Sequence, residues 1–118
     1  MSLTYLNPDA IKDRSISPSK IYGVYPEVDH GTGDTTFTLT PNIFHIWGEV
    51  ASLTLNLGAE TSGVVNEYIF QFTSGSTATS LTLPNDIKWA NDVPTIEANM
   101  TYQVSILKGL ACILEFNN

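Results

Sequence analysis

Residues 101–116 read TYQVSILKGLACILEF, and this stretch decides the fold that we expect for the chain. Apolar and polar residues alternate on both sides of Lys108-Gly109, a pattern typical of two β-strands joined by a tight turn. The length of that turn fixes which side chains share a face, because a slip of one residue turns a whole strand over.

Two turn lengths fit this hairpin. A two-residue turn pairs Leu107 with Leu110 and mixes polar and apolar side chains on one face. A three-residue turn pairs Ile106 with Leu110 and gathers the apolar residues on a single face, namely Tyr102, Val104, Ile106, Leu110, Cys112, Leu114 and Phe116. We predict the three-residue turn, with Gly109 in the left-handed conformation that such a turn needs.

The predicted register leaves Leu107 and Ile113 on the otherwise polar face of the hairpin. An apolar stripe on an exposed sheet is unusual for a monomer, so we expect another subunit or the N-terminal arm to cover both residues. The sole cysteine, Cys112, falls on the apolar face. A free thiol in such a place is usually a buried, inert small residue.

Alternating runs like those of the hairpin recur upstream, at residues 35–40, 51–57, 67–73 and 81–89. Residues 43–47 are apolar on both faces, which is typical of a central strand. Turn residues separate these runs, and no long amphipathic helix interrupts them. The pattern therefore predicts an all-β fold of about eight strands. We interpret it as an antiparallel β-sandwich with either jelly-roll or immunoglobulin-like topology.

Charge divides this chain of 118 residues into two parts, although its length suits one domain. Residues 1–22 carry three basic and two acidic residues, whereas residues 23–118 carry two basic and ten acidic residues. The second part should repel phosphate, so we expect no nucleic-acid partner. No apolar run approaches the ~20 residues of a membrane span, so we expect no membrane insertion. We predict a short extended or helical N-terminal arm at 1–22 and a β-sandwich domain at 23–118.

The arm has a composition suited to contacts with other chains. Its isoleucines recur every five residues, which matches neither a helix nor a strand, and a segment this short cannot bury them alone. They could lie across the surface of the chain's own domain, or three copies around an axis could bury them together. We therefore predict attachment or oligomerisation through the isoleucines and basic residues of the arm, namely Ile11, Lys12, Arg14, Ile16, Lys20 and Ile21.

Residues 10–21, AIKDRSISPSKI, resemble a repeated phrase of bacteriophage fibre and tail proteins, D-G-S-I-x-x-x-K-I. The matching positions are Asp13, Ser15, Ile16, Lys20 and Ile21, whereas Arg14 stands where glycine is common. Residues 36–116 resemble a small β-domain of phage head fibres, tail fibres and baseplates. Its pattern is carried by Thr38, Leu39, Pro41, Asn42, Trp47, Phe72, Ser74, Gly75, Leu81, Leu83, Pro84, Trp89, Tyr102, Val104, Ser105, Ile106 and Gly109.

This resemblance implies a structural protein of the virion, on the capsid surface or the tail, that is made in the cytoplasm of a bacterial host. The implied partners are further copies of the chain, with a trimer favoured, and capsid or tail proteins. A head or tail fibre, or a decoration protein anchored by its arm, fits this implication.

The sequence offers little catalytic chemistry. Asp29, His30 and Asp34 could form a metal or acid–base cluster, but their glycine-rich surroundings favour a solvated turn, and metal sites demand three or four placed ligands. His45 is expected to be a satisfied interior histidine. We predict no enzymatic activity, no metal and no cofactor.

Carbohydrate binding, with a host-surface glycan as one ligand, is the alternative function. Aromatic side chains offer faces to sugar rings, and the candidates here are Tyr22, Tyr25, Trp47, Tyr68 and Trp89. Both tryptophans extend apolar alternations, however, and we expect them in the core.

Overall fold

The computed structural model describes residues 25–118, and these residues form nine β-strands and no helix. The strands are β1 (Glu27–Gly31), β2 (Thr36–Leu39), β3 (Phe44–Glu49), β4 (Ser52–Leu57), β5 (Glu67–Thr73), β6 (Ser80–Thr82), β7 (Lys88–Trp89), β8 (Met100–Leu107) and β9 (Leu110–Asn117). The all-β prediction is therefore confirmed for the described part of the chain. The predicted arm, residues 1–22, lies outside it.

The strands form a six-stranded sheet, in the order β1-β3-β5-β8-β9-β7, and a three-stranded sheet, in the order β2-β4-β6. From β1 to β6 the chain alternates between the two sheets, and each strand lies parallel to the previous strand of its own sheet. We call two consecutive strands, one in each sheet, a rung. The three rungs are β1–β2, β3–β4 and β5–β6.

The prediction of an antiparallel β-sandwich is wrong for the rungs. Five of the seven strand pairs are parallel, and only β5–β8 and β8–β9 are antiparallel. Jelly-roll and immunoglobulin-like domains pair their strands antiparallel, so neither topology describes the rungs. Alternation of apolar and polar residues does not report strand direction. A parallel neighbour needs a crossover of about a dozen residues, and residues 32–43, which include β2, supply it between β1 and β3.

The two sheets face each other across one apolar core. The ring centroids of Phe37 in β2 and Trp47 in β3 lie 5.9 Å apart, which places these strands of different sheets in contact. Within the three-stranded sheet, like residues stack in register, as where Leu53 pairs with Leu81. The buried apolar residues are Leu39, Trp47, Val50, Leu53, Leu55, Tyr68, Phe70, Phe72, Tyr102, Val104, Ile106 and Ala111.

The hairpin of β8 and β9 has the two-residue turn, so the predicted three-residue turn is wrong. Leu107 pairs with Leu110, and Ile106 pairs with Ala111. The turn residues Lys108 and Gly109 have φ angles of 55° and 77°. Two successive positive φ angles make a type I′ turn, whose twist matches the twist of the flanking strands. The expected left-handed conformation of Gly109 is confirmed.

Candidate functional site

The register of the hairpin creates an apolar surface on the outer face of the six-stranded sheet, the face that points away from the three-stranded sheet. We define the hairpin face as the outward side chains of β8 and β9, namely Thr101, Gln103, Ser105, Leu107, Leu110, Cys112, Leu114 and Phe116. None of them carries a charge, although the chain has a net charge of −7.

The apolar members of the hairpin face are open to solvent. Leu107 is 44% exposed, Leu110 49%, Leu114 66% and Phe116 44%. These side chains lie on neighbouring positions of one hairpin, so they form a patch and not scattered surface residues. Contiguous exposed apolar surface is typical of sites that contact another molecule.

An open strand edge borders the hairpin face. The short strand β7 pairs only with Leu110 and Ala111, and within residues 25–118 no strand pairs with the far side of β9 beyond them. Natural edge strands are usually protected by charges, proline or a bulge. From Cys112 onward β9 has one charge, Glu115, whose carboxylate accepts a hydrogen bond from the Tyr102 hydroxyl at 2.7 Å on the inner face. Within the described residues, no paired strand protects this part of the edge.

The outer face continues from the hairpin onto the parallel strands. Phe44 and Ile46 of β3 point outward and are half-buried, as is Ile69 of β5. The predicted central position of this apolar strand is confirmed, because β3 lies between β1 and β5. Polar contacts separate the two apolar areas, including the one in which the Gln103 amide donates to Gln71 Oε1 at 2.8 Å.

Two of the predicted site residues lie in the hairpin. Leu107 lies on the same face as Gln103 and Ser105, as predicted, and its coverage by another subunit or the arm stays a prediction. The prediction for Ile113 is wrong, because the two-residue turn directs it to the inner face, where it packs against the core. For the same reason Cys112 is exposed and not buried. The other predicted contact residues, Ile11, Lys12, Arg14, Ile16, Lys20 and Ile21, lie outside the described residues.

Sequence reasoning missed Leu110, Leu114 and Phe116 as surface residues. The Lys108-Gly109 pair held the signal that would have found them. Glycine at the second position of a two-residue loop favours the type I′ turn, and that turn alone sets the register. Lysine uncommonly adopts a positive φ angle, as Lys108 does here, so this residue gave little indication of the type I′ turn.

A second candidate site lies between the first two rungs, where two imidazole rings meet. His30 Nδ1 lies 2.9 Å from Asp34 Oδ2, and His30 Nε2 lies 3.0 Å from His45 Nδ1. His45 Nε2 lies 3.3 Å from the Thr40 carbonyl oxygen. We call His30 and His45 the imidazole pair.

The imidazole pair is enclosed by aromatic rings. His30 stacks on Trp47 with ring centroids 4.2 Å apart, and Phe37 lies 4.5 Å from His30. Burial lowers the pKa of His45; the carbonyl of Thr40 opposes that shift, and the neighbouring His30 adds to it. The prediction that His45 is a satisfied interior histidine is confirmed, because it is 2% exposed and bonded through both nitrogens.

The turn after His30 is solvated as predicted, since residues 31–34 are exposed, but the His30 side chain itself is buried, with only 4% exposed. Asp29 does not join the cluster, and its carboxylate instead accepts a hydrogen bond from the Gly31 amide at 2.8 Å. Among residues 25–118, no group of three or more His, Cys, Asp or Glu residues is arranged to hold a metal ion. The cluster is therefore a hydrogen-bonded relay, not a set of converging ligands.

The aromatic residues considered for sugar binding are mostly occupied. Trp47 is 1% exposed and donates its indole N–H to the Gly33 carbonyl at 2.8 Å. Tyr68 is buried and donates its hydroxyl to the Gly58 carbonyl at 2.6 Å. Trp89 is half-buried against the core, and Tyr25 is 39% exposed. Tyr22 lies outside the described residues.

Comparison with protein-family models gave no match, and comparisons with curated proteins and with solved structures gave none either. In the part of the chain that the structure describes, no helix has the length and apolar character to cross a membrane.

Proposed function

We propose that this chain is a self-assembling structural protein of a phage virion, a head or tail fibre or decoration protein. In this proposal the β-domain associates with further copies through the hairpin face, and residues 1–22 attach the assembly to capsid or tail proteins. The observation that carries the proposal is the uncharged, apolar hairpin face beside the open edge of β9. The fibre-like phrase within residues 10–21 supports the virion as its place.

A second copy of the chain is the partner that best fits this surface. A chain with a net charge of −7 repels its own copies, and they approach most easily where neither carries charge. The edge of β9 is also complementary to itself, since two identical strands can pair antiparallel about a two-fold axis. Such pairing favours a dimer, whereas the isoleucines of the arm favour a trimer, and the mass of the assembly distinguishes them.

The magnitudes are consistent with association of modest strength. Complete burial of one leucine or phenylalanine side chain contributes roughly 1.5–3 kcal/mol, so burying the exposed half of each contributes about 1 kcal/mol. With Leu107, Leu110, Leu114 and Phe116 from two copies, the gain is about 8 kcal/mol. Association costs about 4–15 kcal/mol in lost freedom of motion, so edge hydrogen bonds or contacts of the arm must contribute to a stable assembly.

The test of self-association compares two substitutions that each add one charge on an exposed strand position. Leu114→Asp lies in the hairpin face, and Thr38→Asp lies on the exposed side of β2. We expect the unaltered chain and Thr38→Asp to be oligomers at micromolar concentration, and Leu114→Asp to be monomeric but folded. Light scattering gives the mass, and the reactivity of Cys112 towards a thiol reagent reports whether the hairpin face is covered.

A monomeric unaltered chain would contradict self-association, as would a Leu114→Asp variant that assembles normally. The attachment role is tested separately, in the full-length chain, by replacing Lys12, Arg14 and Lys20 with alanine. We expect this variant to keep the folded β-domain and to be depleted from purified phage particles. Normal incorporation of this variant would contradict the attachment role.

A further inference from the structure

The imidazole pair has a hydrogen-bonding pattern that two neutral histidines cannot satisfy. A neutral imidazole has one N–H donor and one acceptor nitrogen, whereas a protonated imidazole has two donors. The relay begins at an acceptor, the carboxylate of Asp34, and ends at another acceptor, the carbonyl of Thr40. Its three hydrogen bonds therefore need three protons, and two neutral rings supply only two.

We propose that His30 and His45 form a buried site that binds one additional proton, which completes the relay from Asp34 to Thr40. The protonated pair carries one positive charge, and the carboxylate of Asp34 lies 2.9 Å from it as the balancing negative charge. The proton is placed on the imidazoles, because an imidazole is ordinarily a stronger base than a carboxylate.

A second additional proton would disrupt the relay. With both rings protonated, His30 Nε2 and His45 Nδ1 would both carry hydrogen while only 3.0 Å apart. It would also charge His45, which is almost fully buried. Burial, opposed by the carbonyl of Thr40 and reinforced by His30, lowers the pKa of His45, and this agrees with uptake of one proton only.

The elements packed against the imidazole pair bring no other charge to it. Strands β2 and β4 contain no titratable residue, and β5 presents Tyr68, whose hydroxyl donates to Gly58. The remaining acidic residues of the contacting strands point to the outer face or lie at the strand end, namely Glu27 and Asp29 of β1, Glu49 of β3 and Glu67 of β5. Asp34 is therefore the single counter-charge that faces the pair among the described residues.

Binding of the proton makes the stability of the first rung depend on pH. Asp34 lies between β1 and β2, and Thr40 lies between β2 and β3, so the completed relay ties both connections of β2 to β1 and β3. In the unfolded chain, two independent histidines hold about one proton at pH ~6.5. Below that pH His45 holds fewer protons in the folded chain than in the unfolded chain, because burial lowers its pKa. The contribution of the site to stability therefore falls as the pH is lowered below ~6.5.

The chain has two histidines, and both belong to the pair, so every histidine signal in a nuclear magnetic resonance titration reports on this site. We expect two separate protonation steps, because the second proton would place hydrogen on both facing nitrogens, and we expect the second step below the ordinary value of ~6.5. A single step near the ordinary value for both rings would overturn the proposal.

Asp34→Asn and Asp29→Asn form a matched pair for the same titration. Asp34→Asn keeps an oxygen acceptor for His30 and removes the counter-charge, so the first step should shift to lower pH by about one unit. Asp29→Asn removes one charge from the neighbouring turn, where its amide oxygen can still accept from Gly31, and should leave both steps in place. Equal titrations in the two variants would contradict the role of Asp34 and with it the proposal.

Discussion

In the parallel and antiparallel halves of the six-stranded sheet, different features decide which side chains point inward and which point outward. In β3 and β5 the core between the two sheets decides which side chains point inward, and most of the inward residues are large aromatic rings. In the hairpin of β8 and β9 the type I′ turn at Lys108-Gly109 decides, and it sends Leu110, Leu114 and Phe116 outward.

This difference shows that a tight turn can set a register against the preference of apolar residues for the core. The inner face of β9 accepts a small residue where β7 lies beside it, since Ala111 is fully buried and its carbonyl accepts a hydrogen bond from the Ala90 amide at 2.8 Å. The apolar residues on the other face then remain exposed within the described chain. Such a face is consistent with a surface that another copy covers.

The largest expected effect is a difference in the free energy of unfolding between one substitution in each half of the sheet. Phe70 is fully buried and contacts Trp47 and Phe72, so Phe70→Ala should lower the free energy of unfolding by about 3–5 kcal/mol. Phe116→Ala should change it by less than about 1 kcal/mol when the chain is dilute, because Phe116 is half exposed. Urea denaturation measures both.

Phe116→Ala should weaken self-association instead, which light scattering at higher concentration would show. If Phe116→Ala destabilised the dilute chain as strongly as Phe70→Ala, the two halves would not differ and the hairpin face would be part of the folding core.

A smaller effect is expected at a corner where the chain passes between sheets. The Thr79 hydroxyl donates to the Val50 carbonyl at 2.6 Å, and the Thr79 amide donates to Ser74 Oγ at 3.1 Å. These groups are buried, so Thr79→Val leaves a carbonyl without its donor and should cost about 1–3 kcal/mol.

Thr38→Val is the control for this change, since Thr38 is exposed on β2, and it should stay within about 0.5 kcal/mol of the unaltered chain. Equal effects of the two valine substitutions in urea denaturation would show that the corner does not hold adjacent rungs together.

The smallest effects are expected in the hairpin turn, and they should have opposite signs. Gly109→Ala places a side chain where no atom lies within 4 Å, so only the left-handed backbone opposes it, at about 1–2 kcal/mol. Lys108→Asn should stabilise by about 0.5–1 kcal/mol, because asparagine tolerates a positive φ angle better than lysine. Thermal unfolding measures both, and a neutral Gly109→Ala would contradict the control of the register by the turn.

The sequence predicted where most strands occur, but it predicted a turn where β1 lies, and it did not predict which way the strands run. The alternation around Phe70 and Phe72 identified a strand and its buried face correctly, because burial depends on which side a residue faces and not on strand direction. The parallel pairing of β3 with β5 depends on β4 crossing to the other sheet, and no local pattern reports such a crossing.

The two candidate sites were hidden from the sequence for different reasons. The hairpin face depends on a choice of one residue in the length of a turn, and the apolar pattern favoured the wrong length. The imidazole pair joins His30 and His45, which are 15 residues apart in the chain and become neighbours only when adjacent rungs stack. Each histidine alone looks like an ordinary turn or core residue.

The order of strands makes the molecule directional. Within residues 25–118, β1 and β2 are the outermost strands at one end of their sheets, and a further parallel rung could continue both edges. Beyond β5, the place of the next parallel strand is taken by β8, which runs in the opposite direction. Among the described strands, extension of the six-stranded sheet by a parallel strand is thus blocked beside β5 and possible beside β1, so any lengthening by added repeats would proceed one way.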